Sequence, residues 1–191
     1  MPRSKRVHYK GAFYHVMFRG NNGRDIFFSN DERWHFCGLL EEIVKKFSCK
    51  IHSFCLMSNH VHLLIEVDDI PLSKSLHFVA FHYARWLNNR QKLTGHLFQD
   101  RYKAKLVTKQ SYLLQLCRYI HLNPVKAGMV DQPGDYFWSS HSDYLGKKKF
   151  SWITRNFIFN ELDATADHSI LRYSVFMLSE YDHPKKLSFR H

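Results

Sequence analysis

Hydrophobic and polar residues alternate in four short stretches of the chain, and apolar residues recur at helical spacing in the segments between them. Alternation places side chains on the two faces of a strand, whereas recurrence every three or four residues marks one side of a helix. The predicted elements are a strand over 13–19, a helix from Ser29 to about Ser48, strands over 51–56 and 61–67, a helix from Leu72 to about Arg90, a strand over 97–107 and a helix over 111–123.

This order of elements, β-α-β-β-α-β followed by a helix, is that of the split β-α-β arrangement. It predicts an α+β fold, a ferredoxin-like sandwich with a four-stranded antiparallel sheet and two helices on one face. The helix that begins at Ser111 is expected to end at Asn123, because Pro124 disfavours helical geometry in the residue before it. RNA-recognition modules use the same layout to present the other sheet face to single-stranded nucleic acid.

The hydrophobic pattern weakens after Trp138-Ser139-Ser140. Lys147-Lys148-Lys149 begins a basic stretch, and between this stretch and the C-terminus only 168–180 has the spacing of a further helix. We therefore expect a folded domain over 1–145 and a basic, helical appendage over 146–191.

The chain of 191 residues has 28 Lys and Arg against 17 Asp and Glu, which gives a net charge of +11. A small basic domain attracts polyanions, and nucleic acid is the commonest of them; an anionic membrane surface is the weaker alternative. The longest apolar stretches, such as 61–65, are far shorter than the roughly 20 residues of a membrane span. The four cysteines lack paired spacing and the N-terminus leads into no signal region, so a cytoplasmic protein with reduced thiols is expected.

One face of the fourth predicted strand is strongly basic, and further arginines follow the first strand. Such side chains suit contacts with phosphates, and plain solvated charge is the alternative. The residues expected to contact DNA phosphates are Arg19, Arg24, Arg101, Lys103 and Lys105.

His60 and His62 are two positions apart and therefore lie on one face of their strand, where two imidazoles can converge on one ion. With 14 histidines in the chain, such a pair arises by chance roughly once, so two partly exposed hairpin histidines are an equally open interpretation. His15 and Glu66 can approach the same place or be structural. Tyr119 and Asn123 share one helix face, which is also typical of an amphipathic helix with a tyrosine at the rim of the core.

Four segments of the chain, taken together, are far more specific than any one of these patterns. They are 14–22, 56–64, 95–103 and 118–128. In these segments the sequence resembles the single-tyrosine HUH transposases, which are IS200-like, and most of all the bacterial REP-associated tyrosine transposases. The resemblance runs from about Tyr9 to Gly146, keeps the order of the segments, and leaves the C-terminal appendage uncovered.

The resemblance implies an enzyme whose catalytic domain is 1–145. Tyr119 matches the nucleophile, His60 and His62 match the metal-binding pair, and Asn123 matches the amide that helps to hold the ion. The implied cofactor is Mg²⁺ or Mn²⁺, which suits mixed nitrogen and oxygen ligands. The implied reaction is cleavage of single-stranded, hairpin-forming DNA through a 5′-phosphotyrosine link, and a homodimer is left open.

Two other functions fit the same residues. A hairpin-binding module without chemistry would bind DNA equally well with a chelator present and would form no covalent adduct. An RNA-binding protein or ribonuclease would use the same sheet and prefer RNA, which its 2′-hydroxyl distinguishes from DNA.

Overall fold

The computed structural model describes residues 7–147, 149–162 and 168–179. Four antiparallel strands form one sheet in the order β2-β3-β1-β4, which confirms the predicted α+β fold and its split β-α-β order. The elements are β1 (Phe13–Arg19), α1 (Asn30–Phe47), β2 (Lys50–Leu56), β3 (His60–Glu66), α2 (Leu72–Gln91), β4 (Lys103–Val107), α3 (Ser111–Lys126), α4 (His141–Tyr144), α5 (Asn156–Glu161) and α6 (Ser169–Leu178).

The register of the sheet separates an apolar face from a polar one. Val16 in β1 faces Leu63 in β3 and Ala104 in β4, and these side chains belong to the face that α1 and α2 cover. The opposite face, which we call the histidine face, carries the other side chain of each alternating pair. Its members include His15, Met17, Arg19, His60, His62, Leu64, Lys103 and Lys105.

Helix α3 packs against the histidine face over β2 and β3. Leu113, Cys117 and Ile120 are buried in the core on this side. Because α3 covers only that half of the face, the lysines of β4 at the other edge are exposed. The β4 edge of the histidine face is therefore reachable from solvent, whereas His15 and Met17 on β1 are buried.

The prediction that this helix ends at Asn123 is wrong, because α3 continues through Pro124 to Lys126. A proline inside a helix removes the hydrogen bond to the carbonyl four residues earlier, here that of Ile120. The Asn123 side-chain amide donates to the Tyr119 carbonyl at 2.8 Å and lies 3.5 Å from the Ile120 carbonyl. The longer of these two contacts reaches the Ile120 carbonyl, the one that Pro124 leaves without its backbone donor, and the helix continues to Lys126.

The fourth strand is shorter than predicted, since it begins at Lys103 and not at Leu97. The Gln99 amide donates to the Arg19 carbonyl at 3.0 Å, and the Asn21 amide donates to the Leu97 carbonyl at 2.9 Å. These bonds pair 97–99 with the end of β1 and the loop after it. The chain then bends over 99–101 before it enters β4.

The chain after α3 covers the outer edge of β2. Ser139 bridges to Cys55, and Ile153 bridges to Ile51 in the parallel sense. An edge strand presents unpaired backbone groups that can recruit another chain, and these bridges protect it. The expected division of the chain near Gly146 stays a prediction, although the described residues beyond it pack on the sheet and on α3.

Buried histidines connect α3 to α4 and α6. His121 lies 2.7 Å from the Tyr173 hydroxyl through Nδ1 and 2.7 Å from the Ser140 hydroxyl through Nε2. His141 Nδ1 also lies 2.7 Å from the Tyr173 hydroxyl. Burial and the neighbouring His141 hold the pKa of His121 well below its usual value, and burial and Lys147 lower the pKa of His141 to about 4.

This network predicts that the protein loses stability in mild acid. Both histidines are neutral in the folded protein, and their pKa rises to about 6.5 on unfolding. Their contribution to the free energy of unfolding is therefore fully present above pH 6.5 and is lost as the pH falls towards 4. For His141 alone, the expected loss between pH 7 and pH 5 is about 2 kcal/mol in the free energy of unfolding. Urea unfolding at both pH values measures it.

A His141→Gln protein is the matched control for this prediction, since glutamine does not titrate. Its free energy of unfolding should fall by about 2 kcal/mol less than that of the wild type between the same pH values. Equal losses in the two proteins would show that His141 does not govern the acid response.

None of the helices within the described part of the chain is long and apolar enough to cross a membrane.

Candidate active site

Tyr119 lies on α3 where the helix crosses the histidine face. Its ring centroid is 5.5 Å from that of His62 and 5.8 Å from that of His15, and both pairs are nearly perpendicular. The tyrosine is 7% exposed and His62 is 2% exposed. The structure thus brings the expected nucleophile to one of the expected metal ligands.

The two histidines of β3 lie side by side, with ring centroids 5.0 Å apart and planes at 88°. Nδ1 of His62 is 3.0 Å from Nε2 of His15, which reaches it from β1. Nδ1 of His60 is 2.6 Å from Oδ1 of Asn59. Each imidazole of the pair therefore uses Nδ1 for a contact within the protein.

These contacts suit a pair of metal ligands, because a ligating histidine usually directs its second ring nitrogen to a neighbouring protein group. Nδ2 of Asn123 faces the backbone of α3, so Oδ1 is the amide atom that a cation would contact. Two imidazoles and one amide oxygen are a mixed donor set of the kind that Mn²⁺ accepts. Among the residues that the structure describes, no three His, Cys, Asp or Glu side chains form a group that could hold a metal ion.

Burial raises the pKa of the Tyr119 phenol, which keeps the group neutral at pH 7. The Lys126 ammonium lies 5.0 Å from the centre of the Tyr119 ring. Burial and the nearby Arg118 lower the pKa of Lys126 to about 8. A neutral phenol is a weak nucleophile, so an attack by this side chain would need a proton acceptor or a cation close to it.

Three of the five residues predicted to contact phosphates lie on the strands of the sheet. Lys103 and Lys105 are exposed on β4, directly opposite Met17 and His15. Arg19 pairs with His60 across β1 and β3. Together with Met17, Asn59 and His60, Arg19 lines a cavity of about 270 Å³.

The other two arginines lie outside the strands. Arg101 is exposed in the bend before β4. Arg24 follows the loop after β1 and donates to the His96 carbonyl at 2.5 Å. Its guanidinium therefore joins two loops at the end of the sheet where His60 lies.

Glu66 does not approach the tyrosine, since it lies at the opposite end of β3 from His60. Its carboxylate is 2.9 Å from His52 Nε2 and accepts from Lys50 Nζ at 2.9 Å. The bond from His52, with the one from Lys50, lowers the pKa of Glu66. This residue belongs to a structural ion pair.

Three residues around the site are absent from the predicted set of catalytic, metal-binding and DNA-binding residues, namely His15, Asn59 and Lys126. Alternation in β1 puts His15 on one face with Met17, but only the register with β3 brings it to His62. Asn59 directly precedes His60, so its place in the sequence could have identified it as a neighbour of the site. Lys126 reaches the Tyr119 ring because α3 continues beyond Pro124.

Comparison with known proteins gives the family of this chain. The sequence model of the family described as Transposase IS200 like matches residues 8–123. The chain therefore belongs to the IS200-like transposase family. A search of curated proteins finds no sequence match.

Two solved structures are similar to this chain. A REP-associated tyrosine transposase bound to a REP hairpin has a TM-score of 0.63 and 16% identity, over 77% of this chain and 87% of that one. That likeness shows a shared fold. A protein of Deinococcus radiodurans assigned as a transposase has a TM-score of 0.44 and 15% identity, over 62% of this chain and 95% of that one.

Proposed function

We propose that this IS200-like transposase is a metal-dependent endonuclease and strand transferase for single-stranded, hairpin-forming DNA. The observation that carries the proposal is the packing of the Tyr119 ring against His62 on a sheet face that carries exposed lysines. A tyrosine nucleophile, two imidazoles that can hold a cation and a basic strand for phosphate contacts are suited to phosphoryl transfer from DNA.

Tyr119 is the proposed nucleophile. Its Oη forms a bond to phosphorus while the bond from phosphorus to the 3′ oxygen breaks. The phenol gives up one proton and the leaving 3′ oxygen takes one up, so the net proton count is unchanged. The products are a 5′-phosphotyrosine and a free 3′-hydroxyl. One phosphoester replaces another, so rejoining by the reverse step needs no ATP.

His60, His62 and Asn123 would hold the divalent cation, Mg²⁺ or Mn²⁺. When bound, the cation polarises the scissile phosphate and offsets charge on the leaving oxygen. The donor set supports this assignment, since the Nδ1 contacts to Asn59 and His15 orient both rings.

Hairpin DNA is the proposed substrate class. The net charge of +11 favours a polyanion, and the exposed Lys103 and Lys105 lie on the histidine face directly opposite Met17 and His15. The solved relative of the same fold is bound to a REP hairpin. We propose the same kind of partner for this chain.

End-labelled hairpin DNA with single-stranded flanks tests the reaction. With Mn²⁺ or Mg²⁺, DNA labelled at its 3′ end should give a protein-linked band on a denaturing gel. The same DNA labelled at its 5′ end should give a short free fragment that a polymerase can extend. A protein-linked band from the 5′-labelled DNA and a free fragment from the 3′-labelled DNA would rule out a 5′-phosphotyrosine.

The same gel separates the two alternative functions. Tight binding without any linked band, unchanged by a chelator, would identify a non-catalytic hairpin-binding module. Preferential binding or cleavage of the RNA version of the hairpin would identify an RNA-directed protein.

The lysines of β4 are expected to supply phosphate contacts. A Lys103→Gln/Lys105→Gln protein should bind hairpin DNA more weakly at all salt concentrations, and the slope of log affinity against log salt should become shallower by about 1 per lysine. Fluorescence anisotropy at several salt concentrations measures both effects.

The matched control is a Lys45→Gln/Lys74→Gln protein. It loses the same charge from α1 and α2, which cover the other face of the sheet. Its salt slope should equal that of the wild type. Equal slopes in all three proteins would exclude Lys103 and Lys105 as phosphate contacts.

A further inference from the structure

Asn59 makes one hydrogen bond through each end of its side-chain amide. Nδ2 donates to the Gly23 carbonyl at 2.9 Å, and Oδ1 lies 2.6 Å from Nδ1 of His60. A carbonyl can only accept, so the nitrogen of the amide must face Gly23 and the oxygen must face His60. The orientation of this amide is therefore settled by its partners.

The orientation of this amide also determines which ring nitrogen of His60 carries the proton. An amide oxygen has no hydrogen to donate, so Nδ1 of His60 must be the donor in this contact. A neutral imidazole carries one N–H, and its other nitrogen then holds the lone pair. With the proton on Nδ1, the lone pair lies on Nε2.

The loop that holds Asn59 in place has an unusual backbone. The Gly20 amide donates to the Asn59 carbonyl at 2.8 Å, so the loop after β1 contacts Asn59 twice. A Cβ on Gly20 would lie 2.0 Å from the Arg24 carbonyl oxygen, and Gly23 has a φ of +71°. Only glycine suits these two positions, and the result is a fixed carbonyl for the Asn59 amide.

We propose that Asn59 is a positioning residue that holds His60 as the Nδ1–H tautomer and so prepares its Nε2 lone pair for a divalent cation. The first half of this inference stands on the two hydrogen bonds alone. The second half rests on the proposed function, in which His60 is a metal ligand. Asn59 itself contacts neither the cation nor the DNA in this role.

Nitrogen NMR of protein labelled with ¹⁵N-histidine tests the tautomer without metal or DNA. The His60 signals, assigned with a His60→Gln protein, should show the proton on Nδ1 in the wild type. An Asn59→Ala protein should lose this preference. An Asn59→Asp protein keeps an acceptor oxygen for His60 and should retain it, although it can no longer donate to Gly23.

The control is an Asn88→Ala protein. It loses the same type of bond, which Asn88 Nδ2 in the last turn of α2 donates to the Gly95 carbonyl in the following loop at 3.1 Å. Its His60 signals should match those of the wild type. An unchanged tautomer in Asn59→Ala, or its loss in both Asn59→Ala and Asn59→Asp, would overturn the inference.

Mn²⁺ titration by electron paramagnetic resonance tests the second half. Loss of an outer partner of a ligating histidine typically weakens metal affinity about 10-fold to 100-fold, so Asn59→Ala should fall in this range. Asn59→Asp and Asn88→Ala should remain close to the wild type. Equal Mn²⁺ affinity in Asn59→Ala and the wild type would overturn this half.

A wild-type protein that binds no Mn²⁺ would contradict the proposed function and the second half together. The NMR result would still decide whether Asn59 sets the tautomer. The two failures are therefore distinguishable.

Discussion

A Tyr119→Phe protein is expected to form no covalent complex with hairpin DNA and to bind that DNA as tightly as the wild type. Phenylalanine keeps the ring that packs against His62 and His15, so the fold and the histidine face should be preserved. It lacks Oη, the only atom of this side chain that can attack phosphorus. Removal of a nucleophile of this kind costs on the order of a thousandfold or more in rate.

Single-turnover cleavage on a denaturing gel measures the rate, and anisotropy measures binding. A Tyr112→Phe protein is the matched control, because it loses a hydroxyl from the same helix, α3. It should cleave at the wild-type rate. Cleavage by Tyr119→Phe at that rate would remove Tyr119 from the reaction and leave the family assignment without its expected nucleophile.

The positions of His60 and His62 on one face could be predicted because alternation along a strand is local. The same reasoning places Lys103 and Lys105 together on β4. These side chains converge on one face of the sheet once the strand order is inferred from the sequence of elements. The placement of these side chains can therefore be predicted from the sequence, because it depends only on alternation along a strand.

The rest of the site depends on pairings that no local pattern contains. His15 reaches His62 because β1 pairs with β3 in a register that sets Met17 opposite His62. The predicted fourth strand is interrupted because 97–99 pair with the end of β1 and the following loop, and the chain then bends over 99–101. Both depend on contacts between residues far apart in the chain.

The end of α3 shows a different limit. The rule that a helix ends before proline fails here, since α3 continues through Pro124 to Lys126, and Asn123 Nδ2 contacts the Ile120 carbonyl that Pro124 leaves without a backbone donor. The longer helix places Lys126 over the Tyr119 ring. The end of the helix therefore also decides which charge lies beside the proposed nucleophile.

Cleavage is expected to require the divalent cation and both histidines of β3. A chelator should abolish the covalent complex and leave hairpin binding in place. Charge stabilisation by a bound cation is worth several kcal/mol, and each 1.36 kcal/mol is tenfold in rate. His60→Ala and His62→Ala proteins should therefore cleave about 100-fold to 1,000-fold more slowly at limiting Mn²⁺.

A His77→Ala protein, altered at an exposed histidine of α2, is the control and should cleave normally. Excess Mn²⁺ should restore part of the rate to His60→Ala, since one imidazole and the Asn123 amide would remain. A missing ligand lowers affinity, which added metal can offset, whereas a misfolded site would not respond. Full cleavage in the presence of chelator would show that Tyr119 works without a cation and that the two imidazoles serve another purpose.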